Sequence, residues 1–262
     1  MSETPQIRFD DGAAYERGMG AWSLLAGRIA LDWAAPAPGL RWVDVGCGNG
    51  AFTALLAERC APSALEGVDP SPAQIDYART RPGLEGARFQ QGDAMALPFA
   101  DDAFDMASMA LVIFFVPEPE RGVAEMARVL RPGGRALAYA WDVEGGGFPF
   151  EAIWAGLREV GLPSSQPPRP EASRADVLHR LWSGAGFGDV RQRTIEVERT
   201  FESFDAFWTT ATAMGGTKLL LQEAAPDMRE RLRDAVRRRM PPPGAQGEIT
   251  LQARANAIIG TK

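Results

Sequence analysis

The sequence predicts an α/β protein, a doubly wound and mostly parallel sheet with helices on both faces. Three observations lead there. From Arg41 to Trp141, β-rich apolar runs alternate with helix-forming runs. Each change of period is marked by Gly, Pro or Asp, and the first strand runs straight into the glycine turn Gly46-Cys47-Gly48-Asn49-Gly50. Strand alternating with helix at this spacing pairs the strands in parallel and places the crossovers over the sheet.

Residues 41–45 read as the first strand and end at Gly46, and AFTALLAERC (51–60) reads as a helix. ALEGV (64–68) is a short strand stopped by Asp69-Pro70; Ser71 then N-caps PAQIDYAR (72–79), with Pro72 at the first helical position. ARFQQ (87–91) is a strand, and FDMASMALVIFF (104–115) is a buried strand leading into a loop. Val123, Met126, Ala127 and Leu130 recur at helical spacing over Glu118 to Leu130. Arg131-Pro132-Gly133-Gly134 stops that helix, and RALAYAW (135–141) resumes as strand.

Glycine and proline cluster at GGGFP (145–149) and LPSSQPPRP (162–170), an excursion longer than a compact sheet protein normally carries, which marks an insertion. ADVLHRLWSGAGF (175–187) follows as a helix and DVRQRTIEVERTF (189–201) as a strand. DAFWTTATAM and APDMRERLRDAVRRRM are further helices, and GEITLQARANAIIG (247–260) is the final strand. The run Arg237-Arg238-Arg239 belongs to a solvated helix end.

Composition narrows the function. With 262 residues, 45% of them hydrophobic, the chain can bury a full core as one large, elaborated domain. A net charge of -6 argues against nucleic acid or another polyanion as the main partner and favours a small molecule. Two cysteines, Cys47 and Cys60, without a CxxC pair, and the single His179 indicate neither a disulfide framework nor a metal site. His179 and Cys47 read as structural or surface residues rather than as chemistry. The polar, acidic N-terminus and the lack of any run near ~18 apolar residues lead to the expectation of a cytoplasmic protein without a membrane span.

The glycine turn satisfies the pattern GxGxx(G/A), with Asp69 at the distance where a carboxylate bonds a ribose hydroxyl. NAD, FAD and S-adenosylmethionine all offer such a ribose. Asp44 separates them: a pyrophosphate is repelled by a nearby carboxylate, whereas S-adenosylmethionine carries an ammonium and a sulfonium and no phosphate. Taken singly, Asp44 is equally read as a strand-end residue bonding backbone amides, and Asp69-Pro70-Ser71 as a capped helix start.

The run VDVGCGNG, then GVDPSPAQIDYAR, QGDAMALPFADDAFDMA and AEMARVLRPGGRALAYAWD, resembles the class I S-adenosylmethionine-dependent methyltransferases of the methyltransferase domain 11 type. The resemblance is particularly to the branch that includes ubiquinone and menaquinone biosynthesis enzymes, and it spans about residues 40–142. Upstream, YERGMGAWSLLAGRIALDW resembles the N-terminal segment of a bacterial subgroup. The resemblance implies a Rossmann-like sheet of about seven strands, a helical lid at 1–35, a cofactor-binding core at 36–142, and a substrate-covering insertion with C-terminal completion at 143–262. It also implies S-adenosylmethionine as cofactor, S-adenosylhomocysteine as product, and a setting in bacterial secondary metabolism.

Carried over position by position, the resemblance puts Asp44, Gly46, Gly48 and Gly50 around the methionine half of the cofactor and Asp69 on the ribose, with Pro70 beside the adenine. Asp93, Ala94 and Met95 match the positions that read the adenine edge, and Ala110 and Leu111 match the floor beneath the methionine. Tyr15, Met19 and Trp22 would lie over the cofactor as part of the lid. The loop after the fourth strand, which often holds histidine in such enzymes, reads Val112-Ile113-Phe114-Phe115-Val116-Pro117, so histidine base catalysis is not expected there.

Tyr15, Asp142 and Glu144 remain as proton acceptors, with Tyr15 and Asp142 as the catalytic candidates. Phe114, Phe115, Trp141, Trp154 and Trp208 suggest a pocket for a small aromatic or lipophilic acceptor, although Phe114 or Phe115, and Phe204 with Phe207 three residues apart, equally suit core packing. The acceptor atom, and whether the protein is a monomer or homodimer, are left open. Two other functions stay open as well: a methyltransferase-fold protein holding the cofactor structurally for a reaction such as cyclisation, and an NAD-dependent oxidoreductase.

Overall fold

The computed structural model describes residues 16–164, 166–213 and 215–262. After a π-helical turn, Glu16–Gly20, come α1 (Ala21–Ala34), β1 (Arg41–Val45), α2 (Ala51–Cys60), β2 (Ala64–Asp69), α3 (Pro72–Arg79), β3 (Arg88–Gln91), β4 (Phe104–Ala110), α4 (Pro119–Val129) and β5 (Leu130–Trp141). The second half holds α5 (Glu151–Glu159), α6 (Ala175–Gly184), β6 (Gly188–Phe201), α7 (Phe204–Thr212), α8 (Gly215–Glu223), α9 (Pro226–Arg237) and β7 (Ile249–Thr261).

All seven strands join one sheet in the order β3-β2-β1-β4-β5-β7-β6. From β3 to β5 the pairs are parallel; β7 runs antiparallel to β5, and β6 antiparallel to β7. This is the mostly parallel sheet expected from the alternation and the Rossmann-like one that the resemblance implies. The strand order reverses between β1 and β4, and in an open α/β sheet that reversal opens a crevice at the carboxyl ends of the strands. Local rules account for the elements that flank it. β1 is buried at every position after Arg41, as a central parallel strand must be, and Ser71 caps α3 by accepting from the Gln74 amide at 3.4 Å, with Pro72 at the first position.

Three expectations about the elements change. The run 104–115 is not one strand: β4 ends at Ala110, Leu111 turns into the left-handed region at φ 62°, and Ile113–Phe115 forms a single 3-10 turn. The glycine pair after α4 does not separate helix from strand, because β5 already begins at Leu130. Leu130 pairs with Phe104 and Arg135 with Met106, so Arg131 to Gly134 bulge out between two strand positions of β4. That bulge is held by β7's end, through Gly133 N to Lys262 O and Lys262 N to Gly134 O, each 2.8 Å. The excursion between β5 and α6 contains a helix of its own, α5, whose Gly156 lies against Leu232 and Val236 of α9.

The core is continuous across the sheet, with Trp22, Trp42, Trp141 and Trp182 among its largest fully buried side chains. Phe207 is fully buried and meets Phe201 edge-on at 5.4 Å, so the Phe204–Phe207 spacing is that of an amphipathic helix on the core. His179 is exposed on α6, and both cysteines are free and buried. Among the described residues no His, Cys, Asp and Glu cluster could hold a metal, and no helix is long and apolar enough to cross a membrane.

Candidate functional site

A cleft of about 810 Å³ opens at the strand-order reversal. Its walls come from the carboxyl ends of β1, β2 and β4, through Asp44, Asp69 and Ala110, and from the glycine turn between β1 and α2. Leu111, Val112 and Phe115 of the loop after β4 give an apolar side, and Gln166 and Pro168 of the long excursion approach it from the second half of the chain.

The turn has the backbone that only glycine takes cheaply. Gly46 sits at φ 73°, and a Cβ there would lie 2.5 Å from Val112 Cγ2, so the residue is required both by conformation and by the close approach of the next loop. The Gly46 and Cys47 amides both donate to Val68 O, at 2.7 and 3.0 Å, which ties the turn to the end of β2. Gly48, at φ 53°, differs: a Cβ there would meet nothing within 4 Å and would occupy open space.

Two carboxylates frame this turn. Asp44 is 1% exposed; Thr53 Oγ1 donates to its Oδ2 at 2.7 Å and Ser108 Oγ to its Oδ1 at 2.8 Å, while Trp42 Nε1 donates to the same Ser108 hydroxyl at 3.0 Å. Burial pushes the Asp44 carboxyl up from 3.8 to about 6 and the nearby Asp69 charge adds to this, against the lowering effect of the two hydroxyls. Asp69 accepts from the Gly48 amide on Oδ2 and from the Ser71 amide on Oδ1, each at 2.9 Å. Burial raises its carboxyl as well, opposed by those two amides. Both groups are therefore acceptors kept short of water, and each favours a partner that brings a positive charge or hydroxyl donors. Asn49 Oδ1 accepts from Ala51 N, the first amide of α2, at 3.2 Å, and its buried Nδ2 has no partner among the described residues. No lysine or arginine lines the cleft among the described residues.

Of the residues singled out from the sequence, Asp44, Gly46, Gly48, Asp69, Pro70, Ala110, Leu111 and Phe115 converge on this cleft. Gly50 supports the turn from behind, against Leu84 and Ala78. Asp93 accepts from the Met95 amide at 2.8 Å in a turn after β3, and Asp93, Ala94 and Met95 are not among the cleft-lining residues. Trp22 is fully buried in the core rather than laid across the cleft, and Met19 is half-buried with its carbonyl accepting from Ser23 Oγ at 2.9 Å. Tyr15 lies outside the described residues.

The aromatic candidates divide. Phe115 lines the cleft, whereas Phe114 is buried edge-on against it at 4.8 Å. Trp141 is fully buried, Trp154 stacks on Phe148 at 3.8 Å, and Trp208 packs against Phe204; none of the three lines the cleft. Asp142, a catalytic candidate from the sequence, is not among the cleft-lining residues: its Oδ2 accepts from Arg254 Nε at 3.0 Å and Nη2 at 2.8 Å, and Oδ1 accepts from Gly145 N at 3.2 Å, so the carboxylate ties the β5 end to β7. Glu144 pairs with Arg174 at 3.7 Å. The structure adds Ser23, Asn49, Tyr139 and Gln166 to the lining. Asn49, Ser23 and Tyr139 stood inside the quoted runs and Gln166 inside the marked insertion, but none was singled out from the sequence as a site residue.

Residues 43–138 match the family described as Methyltransferase domain. Over 97 residues the chain is 43% identical to 2-methyl-6-phytyl-1,4-hydroquinone methyltransferase 2, chloroplastic, of Oryza sativa subsp. japonica, a match covering 37% of this chain and 28% of that protein. It is 35% identical over 135 residues to malonyl-[acyl-carrier protein] O-methyltransferase of Methylococcus capsulatus, covering 51% of this chain and 47% of the relative. Among solved structures, the YcgJ protein of Bacillus subtilis has a similar fold, with a TM-score of 0.61 at 19% identity over 90% of this chain and 97% of that one. The chain spans between 28% and 56% of the length of the first curated relatives that it matches. Residues 43–138 thus match the methyltransferase domain family, and the sheet that holds them has the class I methyltransferase fold.

Proposed function

We propose that the protein binds S-adenosylmethionine in the cleft at the β1/β4 reversal and transfers its methyl group to a small aromatic or lipophilic acceptor. One observation carries this reading: two desolvated carboxylates, Asp44 and Asp69, flank a glycine turn in a cleft whose described lining holds no basic side chain. A pyrophosphate would face repulsion there, whereas an ammonium, a sulfonium and a ribose diol are each complementary to carboxylates. The space beyond Gly48 and the unpartnered Asn49 Nδ2 fit a ligand laid against the turn.

In this reading Asp69 accepts from the ribose hydroxyls while the Gly48 and Ser71 amides hold its carboxylate in place. Asp44 faces the ammonium, and Pro70 lies on the adenine side, which Asp93, Ala94 and Met95 complete by family resemblance. When bound, the cofactor supplies an already activated methyl group on a cationic sulfur. The chain's own task is to align the acceptor and exclude water, and Leu111, Val112, Phe115 and Pro168 provide an apolar wall for both. Leu111 holds a left-handed backbone at the floor of the site, fixed by its amide's 2.8 Å bond to Tyr139 O. Residues 1–35 as lid, 36–142 as binding core and 143–262 as acceptor cover are part of this proposal.

The apolar wall and the phytyl-hydroquinone named for one relative support a lipophilic phenol or hydroquinone as the acceptor class. The test is incubation with methyl-labelled S-adenosylmethionine and a series of alkylated hydroquinones and phenols. The reading predicts labelled product together with equimolar S-adenosylhomocysteine. Tight cofactor binding without turnover on any acceptor would favour structural use of the cofactor, and tight NADH binding in its place would overturn the proposal.

A further inference from the structure

At the other end of the sheet from the cofactor cleft lies a second cavity, of about 410 Å³, lined by Arg135 of β5, by Asp189, Val190 and Arg191 of β6, and by the end of β7. The cavity exists because β6 bulges. Gly188 pairs with Thr261 and Arg191 with Ile259, so Asp189 and Val190 stand opposite the single residue Gly260. Asp189 takes a left-handed backbone at φ 45°, an uncommon state for a residue with a side chain.

We propose that this cavity is a binding site for a phosphate-type oxyanion, clamped by the guanidinium groups of Arg135 and Arg191. Most arginines that face an acid in this chain are taken up in ion pairs, as Arg41 and Arg131 are by Asp105. Neither Arg135 nor Arg191 makes an ion pair among the described residues. Instead each is fixed by an uncharged partner: Arg135 Nη2 donates to Ala34 O, at the C-terminal end of α1, at 2.9 Å, and Arg191 lies over the Trp33 ring at 5.9 Å. Partial burial, and next the Arg191 charge, lower the Arg135 guanidinium from its ordinary value, so two like charges lie close together at one cavity.

Held this way, two planar forks have lost side-chain freedom before any ligand arrives, and a tetrahedral dianion can accept from both. Asp189 is the one acid in the lining. Its charge opposes an anion and sets a limit on affinity. The chain's net charge of -6 offers no general attraction for anions, so binding here has to be local to the clamp.

The experiment is titration calorimetry of the full chain with inorganic phosphate, and separately with glycerol 3-phosphate, at constant ionic strength. Wild type, Arg135→Gln, Arg191→Gln and Asp189→Asn are compared, with thermal melts confirming that each variant folds. The proposal predicts saturable one-site binding of phosphate, weakened at least tenfold by either arginine substitution and strengthened severalfold by Asp189→Asn. Tighter binding of glycerol 3-phosphate than of phosphate would assign the site to an organic phosphomonoester, and the reverse to the free ion. Absence of saturable binding by folded wild type, or binding unchanged in both arginine variants, would overturn it. Affinity for S-adenosylhomocysteine, read on the same samples, should be unaltered, because that cleft shares no lining residue with this one.

Discussion

Ser108 Oγ donates a 2.8 Å hydrogen bond to Asp44 Oδ1, joining β4 to β1 at the strand-order reversal. Trp42 Nε1 donates to the same hydroxyl at 3.0 Å and Thr53 Oγ1 to the other carboxylate oxygen at 2.7 Å, so a buried polar chain aims one carboxyl at the cleft. Such a network is stable only when all its members are satisfied, and Asp44 remains open to a ligand.

The first prediction follows from burial of Asp44. Its carboxyl sits at about 6 in the folded chain against 3.8 ordinarily, so between those values the folded state binds the extra proton. The stability this contributes is fully present below 3.8 and is lost as pH rises through about 6, by about 3 kcal/mol at most. Denaturant unfolding of wild type and Asp44→Asn across this window should show wild type losing stability relative to the variant as pH rises. Affinity for S-adenosylmethionine should move the other way, rising through about pH 6 as Asp44 ionises, and Asp44→Asn should flatten that rise. A stability difference independent of pH would contradict the assignment.

Gly46 and Gly48 should separate stability from binding. Gly46→Ala combines φ 73° with a Cβ 2.5 Å from Val112 Cγ2, and should cost about 2–4 kcal/mol from strain and overpacking. Gly48→Ala, at φ 53° with nothing within 4 Å, should cost only about 1 kcal/mol. Its added methyl enters the cleft, so the loss should appear in affinity for S-adenosylhomocysteine. Thermal melts and calorimetry on both variants check the pair, and the opposite ranking in stability would refute it.

Asp142 should behave as an anchor. Its side chain is 15% exposed and paired to Arg254 at 2.8 Å, so Asp142→Asn leaves a half-buried guanidinium short of its counter-charge, at a cost of about 1–3 kcal/mol. The melting temperature should fall while affinity for S-adenosylhomocysteine stays within twofold. An affinity loss without a stability loss would return Asp142 to the site.

The parallel half of the sheet was legible because its signals are local: Asp69-Pro70-Ser71 stops β2 and caps α3 within three residues. The cleft's glycine turn and two carboxylates were legible for the same reason. What was hidden depends on contacts far apart in sequence. The Arg131–Gly134 bulge is decided by Lys262, and the burial of Trp22, Trp141 and Trp154 by helices and strands that no window around them reveals. Asp142 looked available as a base because Arg254, its partner, lies on the last strand. Hydrophobic residues in an inserted segment suggest a pocket and a core equally well, and here packing claimed all but Phe115 of the aromatic candidates in the described structure.

The central claim is that the cleft around Asp69 binds S-adenosylmethionine and its demethylated product. The most direct measurement is titration calorimetry of S-adenosylhomocysteine into wild type and Asp69→Ala, since Asp69 both faces the cleft and holds the Gly48 and Ser71 amides. The predicted result is one-site binding by wild type, weakened at least tenfold in a folded Asp69→Ala variant. Undetectable binding to folded wild type, or equal affinity in the two proteins, would contradict it.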